Sequence, residues 1–120
     1  LNFDFDRFGR ARNLPLYTSH DGHVFPSLAV STARIAGFST PSARESWLLN
    51  FLHGRDDEGR FIEPFAKISL VSLLRNPESA NALQGRVVVL GLTASGMSSR
   101  YPTPAGVRIT PTELHAVALD

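Results

Sequence analysis

Gln84-Gly85-Arg86-Val87-Val88-Val89-Leu90-Gly91-Leu92-Thr93 is the stretch on which the fold class turns. Its β-branched density and unbroken apolarity predict a strand over Arg86–Thr93, buried on both faces. Gly91 and Gly96 punctuate its end. Downstream, Ser95–Gly106 reads as a Gly/Ser/Pro-rich loop carrying Pro102 and Pro104. Thr112–Leu119 reads as a helix, with Thr112 as its cap and Glu113 in the first turn against the helix dipole. Upstream, Ser69 is placed to cap a short helix through Arg75, which Pro77 closes.

Further upstream the signals are local. Gly54–Gly59 is charged and is expected to be the most mobile segment. Ser46–Leu52 is a short apolar run that fits strand or helix equally. Pro26–Gly37 is the clearest helix. Proline suits the first turn, Gly37 suits the stop, and Phe25, Leu28, Ala29, Ile35 and Ala36 approximate an apolar stripe. Thr18–His23 is polar and loop-like. At the start, Leu1, Phe3 and Phe5 alternate with Asn2, Asp4 and Asp6, the period of a half-buried strand. Asp6–Gly9 predicts a turn with Gly9 at positive φ. Arg10–Tyr17 returns as a second strand with Leu14 and Leu16 on one face. Pro15 puts that strand at an edge or makes it irregular.

Composition bounds the function. With 120 residues, 42% hydrophobic and 19% charged, the chain is long and apolar enough for one globular domain. A net charge of +1 argues against a dedicated nucleic-acid binder. Zero cysteines exclude disulfide scaffolds, cysteine zinc sites and thiol catalysis. The longest apolar runs fall far short of the roughly 20 residues of a membrane helix. The chain begins at Leu1, not methionine, and is expected to be a piece of a longer protein.

Five constellations could carry chemistry. His20 and His23 have His-x-x-His spacing, with Asp21 between them. A zinc site needs three or four ligands, so a solvated turn is the favoured reading and no metal is assigned. Gly91–Gly96 follows the expected strand and could present amides to an anion, but it lacks the lysine of a phosphate loop and the spacing of a nucleophile elbow. Ser95 or Ser99 could be drawn with His115 and an aspartate as a hydrolase triad, although no spacing brings them together. Glu113 and His115 are two apart and diverge on a helix. Arg7, Arg10 and Arg12 form a basic cluster that could meet a phosphate or an acidic partner, though Asp4 and Asp6 nearly cancel its charge.

Taken together, the segments resemble the second class of CHASE domain, the extracellular sensory domains associated with cyclases and histidine kinases. The most specific stretch is 83–120. Leu83-Gln84-Gly85-Arg86-Val87-Val88-Val89-Leu90-Gly91 resembles the family's leucine, glycine, basic residue, apolar strand and glycine. Thr93-Ala94, Gly96, Thr103-Pro104, Glu113-Leu114-His115-Ala116 and Ala118-Leu119 continue it. Asp6, Gly9, Arg12 and Leu14-Pro15-Leu16 resemble the family's early hairpin. Phe25-Pro26-Ser27-Leu28-Ala29 is similar to its helix opening. Leu48-Leu49-Asn50-Phe51 is similar to the following strand, and Ile68-Ser69 with Leu73-Leu74 to the short helix after it. Two positions depart. Ser98 and Ser99 occupy a stretch where the family carries an acidic residue, and Thr112 stands where it carries glycine.

The resemblance implies an α/β fold, a mixed sheet with flanking helices. In it the Leu1–Tyr17 hairpin, a Trp47–Phe51 strand and the Arg86–Thr93 strand share one sheet beside the Pro26–Gly37 helix. Residues 1–120 would be a single-domain fragment, the carboxy-terminal part of an extracytoplasmic sensor on a bacterial inner-membrane protein. A homodimer, membrane-anchored in its parent, would receive a small-molecule or ionic signal. No catalysis, cofactor or nucleic acid is implied. By loop position, the ligand-sensing candidates are Gly91, Thr93, Ala94, Ser95, Gly96, Thr103, Pro104, Glu113 and His115. Two alternatives stand beside this reading: a small α/β hydrolase-like enzyme using Gly91–Gly96 with His115, and a purely structural dimerisation domain.

Overall fold

The computed structural model describes residues 3–42, 46–51, 56–60, 62–94 and 96–120. Helices combine with antiparallel sheets, the expected α/β class. The chain divides into two compact units, Leu1–Leu52 with Gly91–Asp120, and His53–Leu90.

The first unit opens with β1 (Asp4–Phe5) and β2 (Ala11–Pro15). Their turn is built on Asp6. Its Oδ1 accepts from the amides of Phe8 (2.8 Å) and Arg10 (3.0 Å), and Gly9 closes the turn at φ 70°. Pairing changes register between Asp4↔Asn13 and Phe5↔Ala11, which leaves Arg12 without a partner on β1. This bulge reverses the side-chain alternation. Ala11 on one side of it and Leu14 and Leu16 on the other are therefore all buried. Arg12 turns outward, 3.8 Å from Asp6.

β2 also pairs with β5 (Ser46–Leu48), so it is the central strand of the order β1-β2-β5. Pro15 is tolerated because β1 reaches only residues 11–13, while β5 pairs with residues 13–15. At Pro15 the strand has a neighbour on one side alone, as a proline requires.

The stretch expected as a polar loop is a hairpin. β3 (Tyr17–His20) and β4 (His23–Pro26) are joined by Asp21-Gly22, with φ of 49° and 77°. Asp-Gly with both residues at positive φ is the two-residue turn whose twist matches the strands. Pro26 thus ends β4, and Ser27 caps α1 (Leu28–Ile35) by accepting from the Val30 amide at 3.3 Å. Gly37, at φ 84°, terminates that helix. Ala29 and Val30 are its buried residues, whereas Ile35 is 89% exposed, so the expected stripe is shifted by one position. Arg34 holds α1 to β3. Its Nη2 donates to the Tyr17 hydroxyl (2.6 Å), which donates to the Pro41 carbonyl (3.0 Å).

In the second unit, Asp56–Arg60 repeats the Asp6 turn atom for atom. Asp56 Oδ1 accepts from the amides of Glu58 and Arg60, and Gly59 sits at φ 75°. α2 (Leu70–Arg75) follows, flanked by Ser69, whose side chain makes no capping bond. Pro77 does not merely close α2. It opens a 3₁₀ turn over Pro77–Leu83. No described residue of this unit is buried.

That absence overturns the expectation for Arg86–Thr93. The run forms no strand, and no hydrogen bond joins the backbone of residues 87–92 to another described residue. Leu90 is 76% exposed and Leu92 61%. β-Propensity needs a paired, half-buried surface to act on. None is present at this segment.

The expected 95–106 loop contains a third turn of the Asp6 kind. β6 (Tyr101–Pro102) pairs with β7 (Arg108–Ile109) around Thr103–Gly106. Thr103 stands in the aspartate position, and Gly106, at φ 82°, donates to its carbonyl. α3 (Pro111–Val117) completes the unit. Ring contacts tie the chain's two ends together. Phe3 packs on His115 at 5.0 Å and Phe5 on Tyr101 at 5.2 Å.

Gly91 approaches α3 closely. A Cβ there would lie 2.8 Å from Thr112 Cγ2 and 2.9 Å from Thr112 Cβ. We expect Gly91→Ala to lower stability by about 1–3 kcal/mol, the range for forced overpacking. Thr112→Gly should partly restore the double variant. Equilibrium denaturation of the two single variants and the double variant measures the coupling, and purely additive effects would contradict the contact.

Candidate functional site

The ligand-sensing candidates lie on the segment before β6 (Gly91, Thr93, Ala94, Gly96), in the β6–β7 turn (Thr103, Pro104) and on α3 (Glu113, His115). Thr110, not Thr112, caps α3. Its Oγ1 accepts from the Glu113 amide (3.3 Å), and Glu113 Oε2 accepts from the Thr110 amide (2.6 Å) and hydroxyl (2.9 Å). This reciprocal capping box satisfies amides that a helix start otherwise leaves orphaned. The Thr110-x-x-Glu113 spacing with Pro111 at the first helical position was its sequence signature. Thr112, already inside the first turn, faces Gly91 instead.

Each candidate can now be placed. Thr103 is buried and its hydroxyl donates to the Val107 carbonyl at 3.0 Å. Pro104 follows it in the turn. Glu113 is held by the cap. Thr93 and Ala94 are exposed, with the Ala94 carbonyl accepting from the Met97 amide, and Gly96 sits at φ 81°. Ser95 lies outside the described residues. The structure therefore joins Gly91 to α3, and it commits Thr103 and Glu113 to local architecture.

His115 stands apart from Glu113, as their spacing on a helix requires. Its ring packs on Phe3, and its buried Nδ1 has no hydrogen-bond partner among the described residues. A triad histidine would use that nitrogen for an orienting carboxylate. Desolvation pushes the imidazole's pKa down from 6.5.

The other constellations resolve differently. His20 and His23 are register partners across the β3–β4 turn, with His20 Nε2 3.5 Å from Asp21. Among the described residues, no group of three metal-ligating side chains comes together. Of the basic cluster, Arg12 pairs with Asp6, while Arg7 and Arg10 flank the Phe8 ring. The Arg34–Tyr17–Pro41 linkage had no sequence signal, because its members are scattered along the chain.

The neutral state of His115 has a consequence for stability. The folded chain binds this proton less tightly than the unfolded chain. The contribution of neutral His115 is therefore complete above about pH 6.5 and is lost as pH falls through its lowered folded-state value. The turn carboxylates Asp6 and Asp56, also lowered, act only below their ordinary 3.8. Thermal melts between pH 7.5 and 4.5 should show a falling Tm that flattens in His115→Leu. An unchanged slope in that variant would remove His115 as the source.

Comparison with known proteins gives one result. No curated protein and no solved structure matches significantly. A family model described as the CHASE2 domain matches residues 1–120. The Asp6–Gly9 turn, the Leu14-Pro15-Leu16 segment and the Thr103–Leu119 run therefore sit in a chain that belongs to the CHASE2 family of extracellular or periplasmic sensory domains.

Proposed function

We propose that this chain is the signal-input module of a bacterial transmembrane signalling protein, held outside the cytoplasmic membrane. The family match over residues 1–120 is the observation that carries the reading. The parent's output is a cyclase, diguanylate cyclase or histidine kinase domain. The module senses a small molecule or ion and performs no catalysis itself. The proposed contact region is the loop Gly91–Gly96 with Thr103, Pro104, Glu113 and His115.

The proposed mechanism is a population shift. α3 follows the β6–β7 hairpin and is seated through Phe3 and through Gly91. Gly91 opens the candidate loop. A ligand that prefers one conformation of this loop would bias the seating of α3, and with it whatever α3 is joined to. The energy available is the ligand's differential affinity for the two states and nothing more.

The homodimer belongs to the same proposal. Residues 87–92 are uncharged, rich in β-branched and leucine side chains, and have backbone donors and acceptors with no partner among the described residues. Such a segment is a ready template for another strand. A second copy supplies one with no charge to repel it, and a two-fold axis makes the contact self-complementary.

Two measurements test these readings. In thermal shift against a panel of small metabolites and ions, a signal that binds the folded state raises Tm with concentration. Silence across a broad panel would leave the dimerising role alone. In sedimentation equilibrium, the chain is expected to show concentration-dependent mass, and Leu90→Lys should shift it to monomer. A monomeric wild type at high concentration would contradict the strand-paired dimer.

A further inference from the structure

Two turns in the chain form an internal control. Asp6-Arg7-Phe8-Gly9-Arg10 and Asp56-Asp57-Glu58-Gly59-Arg60 share one scaffold. In each, the aspartate Oδ1 accepts two amides, and the glycine takes positive φ. The geometry thus requires the first and fourth residues and leaves the second and third free. In the second turn those positions are Asp57 and Glu58, and Arg60 is neutralised by Asp56 (2.8 Å) and Glu58 (2.9 Å). In the first they are Arg7 and Phe8, so folding does not dictate what this apex displays.

What it displays is an aromatic ring between two cations. Phe8 is 64% exposed at the hairpin apex. The guanidinium carbons of Arg7 and Arg10 lie 4.8 and 5.5 Å from its centroid. Neither guanidinium makes an ion-pair contact among the described residues; Asp6 lies 3.8 Å from Arg12 and acts on Arg10 only through space. We propose that this apex docks on an anionic phospholipid surface, with Phe8 entering the headgroup layer and Arg7 and Arg10 meeting the phosphates.

Three features select that partner. The apex is a turn that projects outward, so it suits a soft planar surface better than an extended acidic peptide, which needs a groove. The Phe8 and Arg10 amides are spent on Asp6 and the Gly9 amide on the Asp6 carbonyl, which leaves no amide nest for a discrete phosphate. An apolar apex with a cationic collar gains from both layers of a membrane interface, the acyl boundary and the charged surface. The inference rests on this hairpin and not on the sensor reading.

The test is co-sedimentation of the chain with vesicles of phosphatidylcholine alone and of phosphatidylcholine with phosphatidylglycerol. Binding to the anionic vesicles alone, weakened by salt, is expected. Arg7→Gln with Arg10→Gln should lower the partition coefficient roughly 30-fold, from the usual contribution of two basic residues near an anionic leaflet. Phe8→Ser should lower it about tenfold. Arg75→Gln with Arg86→Gln, exposed arginines of the second unit, should leave it unchanged. An equal loss in that control would assign binding to net charge and overturn the proposal. Equal binding to both vesicle types, or none to either, would also overturn it. Binding to polyglutamate without binding to vesicles would assign the apex to an acidic protein face and overturn the lipid.

Discussion

Two ring contacts between the ends of the chain are the constraint on which the first unit depends. Phe3 on His115 and Phe5 on Tyr101 join residues more than ninety positions apart. Such closure orders the long intervening chain, so it must be repaid by burial. The repayment is visible in the core. Phe3, Ala11, Leu14, Leu16, Ala29, Val30, Ile109, Leu114 and Val117 are buried, and all belong to this unit. The bulge at Arg12 serves the same end, because without it Ala11 and Leu14 would face opposite ways. His115 is carried inside as part of the closure, neutral and with a nitrogen unpaired among the described residues. α3 is thus held partly by a group that resists protonation.

The second unit lacks such a constraint. α2 and the 3₁₀ turn are short, and Leu70, Val71 and Leu74 are exposed. Short helices draw their stability from tertiary burial, and this unit has no buried residue among those described. Val87, Val88 and Leu90, at the end of this unit, are exposed as well.

What was legible in the sequence was local chemistry. The Asp6–Gly9 turn, the Leu14 and Leu16 face, the glycine stop at Gly37 and the short helix after Ser69 depend on neighbours a few residues away, and the structure has them all. Two errors came from signals present but misread. Asp21-Gly22 between His20 and His23 is a hairpin turn, and Thr110-Pro111-x-Glu113 is a helix start two residues before Thr112. The strand expected at Arg86–Thr93 failed for a different reason. Pattern states what a segment would do given a partner, and it says nothing about whether one is supplied. The Gly91–Thr112 contact was likewise out of reach, since nothing local couples residues twenty-one apart. The family assignment came from the order of many weak segments along the chain, not from any single site.

The central claim is that this chain is the input module of a membrane signalling protein. Its most direct test is to read the parent polypeptide on both sides of residues 1–120. The account predicts apolar spans of roughly 20 residues and a cyclase, diguanylate cyclase or kinase domain on the same polypeptide. A parent with neither a membrane span nor a signalling output would contradict it.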